Sequence, residues 1–110
     1  MQVNNVSNVS FKAHIPNRLY NRMLVDLYTC KKVPVDTFLK QVQNVKKWGY
    51  ETSCVAEEMG PKSSFKGLTL VNSYFVPFKK ALLPMKDSLL SSFMALKEQD
   101  IIKAQEMLKI

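Results

Sequence analysis

Pro16 divides two periodicities that cannot share one element, and this division constrains the fold more than any other feature of the chain. Before it, Val9, Phe11, Ala13 and Ile15 alternate with Ser10, Lys12 and His14, the period of two that marks a half-buried strand. After it, Leu19, Tyr20, Met23, Leu24, Leu27 and Tyr28 recur at the three-and-four spacing of an amphipathic helix. Proline suits the first turn of that helix because its missing N–H would be unpaired there anyway. The helix is expected to end near Lys31-Lys32, where cations suit the negative end of the dipole.

A second helix is expected from Pro34–Asp36 to Trp48, with Val35, Phe38, Leu39, Val42 and Val45 as its apolar face and Gly49 as its stop. Tyr50–Glu58 reads as a weaker strand, 59–64 as a loop, and Phe65–Asn72 as a strand apolar on both faces. That pattern predicts an antiparallel hairpin whose second strand lies centrally in the sheet. The segment Tyr74–Pro84, broken by Pro77 and Pro84, reads as a packed connection with a helical turn around Lys79–Leu83. Beyond Pro84, Asp87 is the expected N-cap of a helix carrying Leu89, Leu90, Phe93, Met94 and Leu96. The polar stretch Lys97–Asp100 is either the exposed part of one long helix or a turn before a second, capped by Asp100. The lapse of the apolar stripe there favours the turn. The expected architecture is therefore α+β, in the order β-α-α-β-β-α-α, with about three mainly antiparallel strands covered by about four helices.

The 110 residues accommodate one domain, 1–110, with residues 1–8 as a flexible tail. No apolar run approaches the ~20 residues that span a bilayer, and the start of the chain lacks the basic and apolar regions of a signal peptide. Cys30 and Cys54 form no C-x-x-C pair and read as two reduced thiols, so a cytoplasmic location is expected. The net charge of +7 is uneven. Residues 1–50 hold eight basic and two acidic side chains, against eight and seven in residues 51–110. A field of this sign favours polyanions, acidic protein surfaces or anionic lipid.

Enzymatic chemistry finds little to work with. The single histidine, His14, has no nucleophile and orienting acid at a telling spacing. One His and two distant Cys do not make a zinc site, three scattered glycines do not make a phosphate loop, and no cofactor motif is present. Glu57 and Glu58, as neighbours in a strand, point to opposite faces and cannot act as an acid–base pair.

The sharpest positive pattern lies on the second helix. Lys40, Gln43, Asn44 and Lys47 fall within about a 100° arc opposite the apolar stripe. Lysines there can reach phosphates, and the two amides can donate to and accept from base edges. Arg18, Arg22, Lys31 and Lys32 would add backbone contacts. An ordinary solvated helix in a basic protein gives the same pattern. Phe11 and Phe65, beside Lys12 and Lys66, suggest stacking of single-stranded RNA on a sheet, although core packing accounts for them as well. The competing class is protein interaction. Here Met85, Met94 and Met107 and the segment Tyr74–Phe78 form either core or a docking face for an acidic or apolar partner, including a second copy of the chain. The sequence thus predicts a non-enzymatic binding module, with nucleic acid as the leading partner and protein the alternative.

Overall fold

A computed structural model of the chain describes residues 13–49, 53–63, 65–72 and 79–108. The first helix, α1 (Asn17–Cys30), begins directly after Pro16, whose extended backbone occupies the N-cap position. It ends at Lys31, in the left-handed conformation at φ 58°, whose N–H donates to the Leu27 carbonyl at 3.2 Å. That geometry is usually given to glycine. Leu19, Met23 and Leu27 are buried along one side, with Tyr20 and Leu24 packed beside them.

The second helix, α2 (Val35–Trp48), has Asp36 in its first turn and Lys46 and Lys47 in its last, the arrangement that suits the helix dipole. It stops at Gly49, where a Cβ would overlap that of Ala13. The same approach lets the Ala13 N–H donate to the Lys46 carbonyl at 2.9 Å, satisfying an orphan acceptor at the helix end. The buried face consists of Phe38, Gln41, Val42 and Val45, whereas Val35 and Leu39 are exposed. It is therefore rotated from the expected stripe toward Gln41. The Gln41 Nε2 donates to the carbonyls of Phe93 and Leu96, each at 3.0 Å, so the buried amide is hydrogen-bonded.

Among the described residues the sheet has three antiparallel strands in the order β1 (Cys54–Met59), β2 (Phe65–Val71) and β3 (Lys80–Leu82). A 3₁₀ turn over Pro61–Ser63 joins the first two, and the register shifts between Glu58 and Met59. Val55, Leu70 and Ala81 align across the sheet and, with Leu68, form its core face. As expected, β2 is central. On the opposite face Glu58 pairs with Gly67 and Lys80 with Val71, so the 3.0 Å ion pair between Glu58 and Lys80 runs diagonally past the buried Thr69.

The described elements run α-α-β-β-β-α-α. The α+β class and the small antiparallel sheet stand; the order β-α-α-β-β-α-α is corrected by a third strand after β2, and its first strand is described only in part. Of the strand expected over Val9–Ile15, residues 9–12 lie outside the described residues. The remainder joins the sheet through one parallel bridge, with His14 N–H donating to Ser53 O at 3.0 Å and Val55 N–H to His14 O at 2.9 Å. Lys80–Leu82, expected as part of a helical turn, is instead a strand that pairs with Thr69–Val71 and places Ala81 beside Leu70 on the core face. The expected tail at residues 1–8, Phe11 with Lys12, and the segment Tyr74–Phe78 also lie outside the described residues.

The C-terminal stretch is two helices, α3 (Leu89–Met94) and α4 (Glu98–Leu108). Ser88 rather than Asp87 caps α3, its Oγ accepting the Ser91 N–H at 3.2 Å. Asp100 supports the start of α4 by accepting the Lys97 N–H at 2.9 Å, the backward bond of a capping box. Both helices pack on the sheet, α1 against α3 and α2 against α4. At the centre, the Phe38 ring lies between Tyr20, 5.8 Å away, and Phe93, 6.0 Å away. Each fully buried side chain of this size contributes roughly 1.5–3 kcal/mol.

Candidate nucleic-acid interface

Burial of Phe38, Gln41, Val42 and Val45 against the rest of the fold turns the other side of α2 to solvent. At 100° per residue, the arc of Lys40, Gln43, Asn44 and Lys47 is centred about 160° from the middle of that buried face. Lys40, Gln43 and Lys47 are exposed and Asn44 is half-buried. From Lys40 to Lys47 the stripe rises about 10 Å along the axis. Among the described residues no carboxylate lies within ion-pair distance of either lysine, not even Asp36 one turn before Lys40. Lys31 and Lys32 are exposed in the turn that enters α2 and are likewise without an ion-pair partner among the described residues.

The two arginines are placed differently. Arg22 Nε lies 3.0 Å from Glu57 Oε1, and the Glu57 side chain is only 9% exposed. Arg18 is exposed and lines a small cleft of about 180 Å³ with Pro16, Leu19, Ala56, Glu57 and Met59. Both arginines therefore lie beside β1, and Arg22 is already engaged with a carboxylate. Sequence reasoning missed that pairing because 35 residues separate the partners and neither belongs to a local pattern. Glu57 faces α1 while Glu58 reaches Lys80 across the other face of the sheet, as strand alternation requires.

Two further features bear on chemistry. Cys54 is buried, and loss of solvent pushes its thiol pKa above the ordinary value, which suppresses the thiolate. A groove of about 310 Å³ on the outer face of the sheet is lined by Glu58, Lys66, Gly67, Leu82, Leu83 and Met85. Leu82 is 76% and Met85 59% exposed there; Met107 is also exposed, whereas Met94 is half-buried against the core. Among the described residues no group of His, Cys, Asp or Glu is arranged to hold a metal ion, and no helix is long and apolar enough to cross a membrane. No protein-family model, no curated protein and no solved structure matches this chain.

Proposed function

We propose that this is a small, basic, non-enzymatic binding module of the cytoplasm whose ligand is nucleic acid. The observation that supports the reading is the α2 stripe: Lys40 and Lys47 exposed, free of carboxylate partners among the described residues, and flanking the amides of Gln43 and Asn44. In this reading the lysines meet phosphates and the amides meet base or sugar groups, with Lys31 and Lys32 extending the contact. Arg18, beside β1, adds positive potential and not a direct contact, whereas the charge of Arg22 is offset by Glu57.

The test is anisotropy with labelled DNA and RNA between about 50 and 200 mM salt. Four displaced counterions correspond to a slope near −3.6 for duplex and −2.8 for single strands, a loss of roughly 150-fold and 50-fold over that range. The double substitution Lys40→Glu with Lys47→Glu abolishes binding while leaving the melting temperature within about 2 °C, because both side chains are exposed. Retained affinity in that variant, or no binding by the parent protein at the lower salt, overturns the proposal.

The second reading is protein interaction, supported by exposed Leu82 and Met85 beside the groove on the outer face of the sheet. Its discriminator is mass in solution: a dimer or a copurifying partner that is lost on Leu82→Ser or Met85→Ser favours it over the nucleic-acid reading.

A further inference from the structure

We infer that the α1–α2 corner is a stacking platform for unpaired bases, so that the nucleic acid this protein takes is single-stranded; the inference rests on the reading above and deepens it. Eight large hydrophobic side chains of the described residues are exposed, and four of them (Val25, Tyr28, Val35 and Leu39) fall between the last turns of α1 and the first turns of α2. The same stretch carries Lys31, Lys32 and Lys40, exposed and without ion-pair partners among the described residues. Tyr28 is 74% exposed and lies three and four residues before the two lysines of the turn.

Apolar surface interleaved with cations matches a ligand that is itself both apolar and anionic. A duplex hides its base faces and presents phosphate, so it would use the lysines and leave Tyr28 and the aliphatic side chains in water. A single strand presents both, and stacking on an aromatic ring is sequence-tolerant because every base has a π-face. The start of α2 argues the same way. A recognition helix in a duplex groove offers the residues of its N-terminal end to the bases. Here those are Val35, Asp36 and Thr37, with no cation or amide among them to read base edges. An anionic membrane is the other ligand that is both apolar and charged. It is the poorer match, because the exposed aliphatic groups are divided between two helices and not ranged along one strongly amphipathic helix with its cations opposite.

The experiment compares a labelled 12-nucleotide single strand, a 20-base-pair duplex and phosphatidylserine vesicles at one salt concentration. The probes are offered to the parent protein, Tyr28→Ala, Tyr28→Phe, and Lys40→Glu with Lys47→Glu. The inference expects the single strand to bind at least 10-fold more tightly than the duplex. Tyr28→Ala then weakens the single strand roughly 5- to 100-fold with an unchanged salt slope, and Tyr28→Phe restores it. The lysine variant weakens both nucleic acids. A change under 2-fold in Tyr28→Ala, or a duplex bound as tightly as the single strand, overturns the inference and leaves the nucleic-acid reading standing. Binding to vesicles with no binding to either nucleic acid overturns both.

Discussion

Gln41 offers a direct test of how the helices are held together. Its Nε2 donates to two carbonyls at 3.0 Å, those of Phe93 in the last turn of α3 and Leu96 in the turn that follows, and both of these residues are buried. Gln41→Ala removes both donors at once; the Phe93 carbonyl keeps the Leu96 N–H at 3.2 Å, and the Leu96 carbonyl loses its amide donor. At about 1 kcal/mol net for each hydrogen bond, the expected loss is about 2 kcal/mol, before any contribution from the small cavity. For 110 residues the unfolding entropy near the midpoint is about 0.23 kcal/mol per degree, so the melting temperature falls by about 9 °C. Gln41→Leu separates the two contributions, since it restores most of the volume but not the donors, and a similar loss is expected. The measurement is thermal unfolding followed by circular dichroism, paired with urea unfolding to check that the denaturant slope is unchanged. If Gln41→Leu melts within 2 °C of the parent protein, the amide bonds contribute nothing and the pairing of α2 with the end of α3 rests on packing alone.

The remaining predictions concern the thiols and the glycine stop of α2. With a thiol reagent at pH 8, Cys30 in its exposed position reacts in seconds to minutes, while Cys54 reacts only on unfolding. Because the Cys54 pKa is raised in the folded state, its contribution to stability is intact below the ordinary thiol pKa. The contribution declines as pH climbs through the folded value, where the unfolded chain has already ionised, and urea midpoints measured on either side of pH 9 check this. Gly49→Ala drives a methyl group into Ala13 and is expected to cost roughly 1–3 kcal/mol, read as a lowered urea midpoint. An unchanged midpoint would mean that the Ala13 segment can step aside at no cost.

Much of this architecture was legible because its signals are local. Pro16, Pro34 and Gly49 bound α1 and α2 at the residues where backbone chemistry demands it, and apolar periodicity located the β1–β2 hairpin. What escaped the sequence depends on long-range partners. Strand β3 has three residues, fewer than a period of two needs to declare itself, and exists because β2 presents a free side to it. Gln41 reads as polar surface until the open carbonyls at the end of α3 are brought to it. Arg22 reads as a free cation until Glu57 arrives from β1. At the candidate site, the exposure of Lys40, Gln43 and Lys47 followed from the helical arc alone, whereas the separation of the two arginines from that face did not.

The brevity of β3 has a consequence for behaviour at high concentration. The outer margins of a sheet expose backbone groups that can recruit strands from other molecules, and accretion of that kind grows with the length of uninterrupted margin. Here one margin is three residues long and begins with a lysine, which pairs across the sheet with Glu58. The other is met at Cys54 by the segment around His14 and is disrupted between Glu58 and Met59 by a shift in register. Among the described residues, neither offers a long uninterrupted run. A chain that leaves several large apolar side chains in water is thereby shielded from the commonest route by which a small sheet turns into a fibre.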